Sequence, residues 1–316
     1  MKAMINRTHV EGLIYQHDLK KKVTGDNSSA PGTQYITGTL DVATDNALTN
    51  IVSVHFTYVT AKTKQDKENP TYTALSNIID GIFGSVMADG ADKATRVRID
   101  SAIGLNDFYS DRNGTEELVS AKRNEGGFVH TSGPWTDKEE LRDTFECDMI
   151  ITGVVHKDAD DDRGLPEKTV IRGAIFDFRN SLLPVEFSAT NKQAMNYFEG
   201  LDASSKNPVF TKVKGRQVSE VITKTITEEG AFGEPSVREV KSSRKDYVIT
   251  WALQDPYIFD DADTITAAEL KKAMADRETY LATVKQRNDE YKASKNGGGG
   301  KGQVFTPSVD TGGFDF

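Results

Sequence analysis

The chain has 316 residues, enough for two ordinary domains or one large one, and a single cysteine, Cys147, which rules out an internal disulfide or a cysteine cluster for zinc. Hydrophobic residues make up 37% and charged residues 28%, so packed cores are affordable but part of the chain is expected to stay unpacked. The net charge of -9 removes any argument for nucleic acid from bulk basicity, yet leaves room for a basic groove on an acidic body.

Neither a transmembrane run nor the apolar core of a signal peptide is visible, and with the lone cysteine this points to a soluble, cytoplasmic protein. From the start, the pattern is alternation. His9–His17, Tyr35–Val42 and Ile51–Val59 are rich in β-branched and aromatic residues and bounded by Gly, Asn, Asp or Pro, as strands are. The period then changes. Leu75, Ile78, Ile79 and Ile82 share one helical face within 73–83. Strands resume at 94–102 and 117–130.

The same order recurs further on. Ile150–His156 aligns with Val10–Tyr15 with Gly153 on Gly12, and Val170–Phe176 aligns with Tyr35–Asp41 with Gly173 on Gly38. Leu183–Phe187 aligns with Val52–Phe56, a helical stretch spans 192–201, and strand-like segments follow at 209–227 and 237–253. Each unit therefore reads as three strands, a helix and two strands, the element order of the OB-fold. The glycines within the early strands suit the sharp bends of a small barrel. The expected fold is mainly β: a first OB-like five-stranded barrel over 1–136 and a second over 137–263, each with an inserted helix. A C-terminal amphipathic helix is expected over 264–295, and a flexible, disordered Gly-rich tail over 296–316. Thr266 and Glu269 have capping-box spacing at the helix start, and Leu270, Met274, Leu281, Val284 and Tyr291 form its apolar stripe.

No catalytic signature is present: Gly-x-Gly-x-x-Gly, Walker-type loops and His-Glu-x-x-His are all missing. The run from Asp158 to Gly164 has a late glycine for a calcium loop, and Thr169 stands where the bidentate glutamate belongs, so it reads as a solvated turn. The expectation is a non-enzyme without cofactor or metal. Binding features are stronger. Strand alternation turns Tyr15, Tyr35, Phe176 and Phe178 outward, with His156 in the place of Tyr15, as candidates for stacking on bases. Arg96, Arg98, Lys122, Arg123, Arg172, Lys212, Lys214 and Arg216 lie nearby on strands as candidate phosphate contacts. For each aromatic the alternative is burial against a helix or the other barrel.

The runs Gly12–His17, Gly32–Asp45 and Asn50–Val59 resemble bacteriophage-encoded single-stranded DNA-binding proteins of the OB-fold type. That resemblance implies sequence-independent binding of single-stranded DNA in replication or recombination. It also implies a C-terminal tail that recruits partner proteins, here through Asp310, Phe314, Asp315 and Phe316. This tail departs from the pattern in holding few acids. Self-association is left open. The alternative reading is a β-barrel virion or assembly protein whose outward aromatics bury against other subunits.

Overall fold

The computed structural model describes residues 4–112, 115–160, 164–228, 232, 236–258 and 264–296. Its elements run β1 (Asn6–His17), β2 (Lys20–Val23), β3 (Gln34–Ala43), β4 (Ile51–Thr60), α1 (Pro70–Ile79), α2 (Val86–Asp89), β5 (Arg96–Arg112) and β6 (Thr115–His130). After a 3-10 turn at Glu139–Leu141 come β7 (Asp143–Lys157), β8 (Lys168–Phe176), β9 (Leu182–Ala189), α3 (Lys192–Glu199), β10 (Val209–Glu228), β11 (Ser236–Ala252) and α4 (Ala267–Asn296). Among the described residues no helix is long and apolar enough to cross a membrane.

Two barrels close. In the first, β1 pairs antiparallel with both β3 and β5, β3 with β4, and β5 with β6, and a parallel contact of β4 with β6 at Val54↔Asn124 completes the ring. The second repeats this with β7, β8, β9, β11 and β10, its parallel contact being Val248↔Ser188. The alternating apolar residues face inward. Val10, Ile14, Ile36, Leu40, Val54 and Phe56 fill the first core, closed by Leu75 and Ile78 of α1. Phe145, Cys147, Met149, Ile171, Ile175 and Phe187 fill the second, closed by Met195 and Phe198 of α3. The helix α1 starts where Asn69 accepts a bond from the Thr71 amide at 3.1 Å and Pro70 takes the first turn. Two of the crossings that require glycine lie in the first barrel. A Cβ at Gly12 would collide with the Ala43 carbonyl oxygen. Gly38, at φ +134, lies against Asp18 and Leu19.

The barrels are joined by backbone pairing as well as by the connecting segment. β1 pairs antiparallel with β7 from Asn6↔Cys147 to Val10↔Asp143. Beside this seam a polar network is buried. The Asn124 side-chain amide donates to the Ser53 carbonyl (3.0 Å) and to Gln217 Oε1 (2.6 Å), and the Tyr247 hydroxyl donates to Asn124 Oδ1 at 3.0 Å. Asn50 bridges Asp143 (2.8 Å) and the Gln217 carbonyl (3.0 Å). Asn50, Asn124, Gln217 and Tyr247 thus each have a partner, which a buried network needs.

The helix α4 packs on its own chain. Thr266 and Glu269 exchange the capping-box bonds at 3.0 and 3.1 Å. Its first turns bury Ala273 in a third core with Ile150, Phe176, Phe210 and Ile265. It then follows the long β5–β6 ribbon, where Arg277 makes a bidentate pair with Asp107 (2.7 and 2.6 Å) and Lys285 and Lys292 both reach Glu116 at 2.8 Å. The sequence stripe is corrected here. Met274 (53% exposed) and Tyr291 (47%) face solvent, and the docking face runs through Leu270, Ala273, Arg277, Leu281, Val284, Asn288 and Lys292. Ion pairs to the ribbon, invisible in an apolar pattern, set the rotation of the helix.

Candidate nucleic-acid interface

The outer face of β3 and β4 in the first barrel is built from the residues between the core positions: Tyr35, Thr37, Thr39 and Asp41 on one strand, Ser53 and His55 on the other. Tyr35 and Tyr58 pack ring to ring, centroids 4.6 Å apart and planes tilted by 41°. The short strand β2 borders them. Its register sets Lys22 opposite Tyr35 and Lys20 opposite Thr37, so both lysines share the tyrosines' face. Lys20 and Lys22 are exposed, and among the described residues neither has an ion-pair partner. Lys21 points to the other side and binds both carboxylate oxygens of Asp80, at 2.9 and 2.7 Å. That hydrogen bond holds the Asp80 carboxyl below the usual carboxylate range.

The face keeps its carboxylates occupied. Asp41 accepts from Gln16 Nε2 (2.8 Å) and Ser53 Oγ (2.6 Å), and Asp18 accepts from the Thr39 amide. Burial lowers the pKa of His17 and of His55, and the Arg123 charge lowers His55 further, so both rings are neutral at pH 7. The face continues onto one side of the β5–β6 ribbon, where Arg123 pairs with Glu125 and Phe108 stands 41% exposed opposite Val119. The other side of the ribbon is taken by α4. The arrangement offers π-faces, hydroxyls and two unneutralised ammonium groups in one strip.

The residues singled out in the sequence scatter relative to this strip. Tyr15 lies beside it, half-buried on β1. Tyr35 belongs to it but is nearly covered, because Tyr58 and β2 close over its ring. Phe176 is a correction: it is 0% exposed, since the segment before α4 lays Ile265 over it. Phe178 is 60% exposed with the Arg179 guanidinium 5.1 Å from its ring centre. His156 is a correction too. It sits among Glu199 (3.0 Å), Glu167 (3.4 Å) and Asp158 (3.5 Å), a surrounding that repels phosphate and raises its pKa, chiefly through the Glu199 hydrogen bond.

Most of the candidate phosphate contacts are also committed internally. Arg96 binds the fully buried Glu11 and the Thr136 carbonyl and lies over Trp135, tying down the segment between barrels. Arg98 pairs with Asp100 (3.3 Å), Arg123 with Glu125, Arg172 with Glu186 (2.7 Å), and Arg216 makes a bidentate pair with buried Asp143 at 2.7 Å. Lys122 reaches the Glu186 carbonyl and lies over Phe187 and Tyr247; burial lowers its pKa. Lys212 and Lys214 share one carboxylate, Glu146, at 3.6 and 3.5 Å. Asp310, Phe314, Asp315 and Phe316 lie outside the described residues. Sequence reasoning passed over Lys20, Lys22, Tyr58 and Phe108. The signal for the first two was the Lys20-Lys21-Lys22 run between two strands.

Among the described residues no group of three or more His, Cys, Asp or Glu is placed to hold a metal ion. The pairing order of each barrel, with its helix between the third and fourth barrel strands, defines the OB-fold, whose second and third strands and flanking loops bind oligonucleotides and oligosaccharides across many proteins. The class is therefore a tandem OB-fold protein with an appended helix. The chain belongs to the YorF family, whose model matches residues 5–287. A deletion mutant of the single-stranded DNA binding protein from Thermus aquaticus is similar in structure, with a TM-score of 0.44 and 9% identity over 83% of this chain and 100% of that one. No curated protein matches the sequence.

Proposed function

We propose that this protein binds single-stranded DNA without base specificity, through the β3–β4 face of its first barrel. The observation that supports this most is the Tyr35–Tyr58 pair bordered by two lysines that no carboxylate neutralises among the described residues. Lys20 and Lys22 meet phosphates, and bases lie on Tyr58, Tyr15 and Phe108, whose π-faces accept any base. The reaction is equilibrium binding, in the service of replication or recombination. The segment from Asn296 to Phe316 tethers partner proteins through Phe314, Asp315 and Phe316. Arg96, Arg98, Lys122 and Arg216 take structural roles.

Fluorescence anisotropy with labelled oligothymidylate at low and high salt tests the proposal, with a duplex of equal length as competitor. Binding that weakens steeply with salt and resists duplex competition is expected. No binding to oligothymidylate at low salt would overturn it.

A further inference from the structure

The seam between the barrels carries a second outward patch that the first barrel's face does not reach. One cross-strand row crosses four strands there. Trp251 on β11 is opposite Lys214 on β10, Lys214 is opposite Glu146 on β7, and Glu146 is opposite Arg7 on β1. Their neighbours Val213 and Cys147 fill the second core, so this row points outward. Trp251 is 45% exposed with the Lys214 ammonium 5.2 Å from its ring centre. Lys212, two residues along the same face, also turns to Glu146. Arg7 is exposed and has no ion-pair partner among the described residues. Three cations thus face two carboxylates, Glu146, which sits beyond hydrogen-bond distance of both lysines, and the mostly buried Asp148 opposite Lys212.

We infer that Trp251, with Lys212, Lys214 and Arg7, forms a second contact for single-stranded nucleic acid, so that one bound strand passes from the first barrel over the seam to the second. The inference rests on the proposed function and extends it to a path. A half-exposed indole flanked by net positive charge suits a base on the ring and phosphates on the ammonium and guanidinium groups. A protein partner would gain less there, since the patch has one large apolar group among charged side chains. Arg7 and Tyr15 are eight residues apart along β1, about 26 Å at ~3.3 Å per residue. An oligomer of about 4 nucleotides held on the first barrel, about 14 Å long at ~3.4 Å per stacked nucleotide, falls short of that distance, and a long one covers it.

The length dependence supplies the experiment. Trp135→Phe leaves Trp251 as the sole tryptophan. In that protein, an oligothymidylate of about 30 nucleotides should quench Trp251 emission. One of about 4 nucleotides, the lower end of the roughly 4–16 that one OB-fold covers, should bind with little quenching. Trp251→Ala, checked by thermal melting for an unchanged fold, should weaken the long oligomer by about 5- to 150-fold, the range of one stacked base. The short one should change less than about two-fold on the same basis. Tight binding of the long oligomer with Trp251 emission unchanged, and with Trp251→Ala binding like wild type, overturns the second contact while leaving the first barrel's role intact. Absence of binding by both oligomers at low salt overturns the proposed function itself.

Discussion

Replacing Lys20 and Lys22 together by alanine is the sharpest perturbation of the proposed interface. Both side chains are exposed and unpaired among the described residues, so the fold should not register their loss beyond a few tenths of a kcal/mol. If each meets one phosphate, the log–log salt dependence of affinity should flatten by about 0.7 per lysine, about 1.4 in all. Between roughly 50 and 200 mM salt the wild type should then lose about seven-fold more affinity than the variant. Lys21→Ala is the internal control. It belongs to the same run but is engaged with Asp80, and it should leave the slope nearly unchanged while freeing the C-terminal end of α1. Anisotropy titrations across salt concentrations read all three proteins. Equal slopes for wild type, the double variant and Lys21→Ala would refute the assignment of β2 to the interface.

Three further outcomes follow from the packing. Phe176→Ala should lower stability by about 3–5 kcal/mol in urea unfolding, the cost of emptying a core aromatic, and should leave DNA affinity of the folded protein unchanged. Arg277→Ala strands Asp107, whose side chain is 1% exposed, and should cost about 3–5 kcal/mol. Arg277→Met with Asp107→Leu should recover most of that loss, since an apolar pair removes both charges. Hydrogen bonds from Lys285 and then Lys292 depress the Glu116 carboxyl from 4.5 to about 2. A depressed carboxyl stabilises α4 docking fully above its unfolded value near 4.5 and loses that contribution as pH falls toward 2. Protection factors for amide exchange in the C-terminal half of α4, taken against the intrinsic rate at each pH, should therefore fall over that window, and Glu116→Gln should show lowered protection already at pH 7.

Strand order and repeat were legible because they are written in period-2 alternation and in recurring glycines. Gly12 and Gly38 announce close backbone crossings whatever surrounds them. Orientation relative to a second body was not legible. Phe176 alternates outward from its own barrel as the sequence says, but α4 and the segment before it arrive from almost a hundred residues away and bury it. The cations failed for a related reason. Arg96 and Arg216 look like groove residues in one strand, and only the fold brings buried Glu11 and Asp143 against them. What betrays the open face is the absence of an opposing carboxylate, a property of tertiary neighbours. Lys20 and Lys22 were visible as a run of charge but not as the unpaired part of it.

The doubly paired strand β1 also has a cost during synthesis. Its central residues find their β5 partners only after a long wait, Thr8 and Ser101 being 93 positions apart, and its β7 partners are later still. At about 5–20 residues per second the ribosome leaves the N-terminal half of that strand, which β3 does not cover, without its β5 neighbour for roughly 5–20 s. Through that interval a nascent chain carries an open backbone edge of the kind that recruits other strands. Arg7, His9 and Glu11 alternate along it, charged or titratable at every second position. Those side chains, whatever they do in the finished protein, discourage a second nascent chain from adding itself to the edge before β5 and β7 emerge.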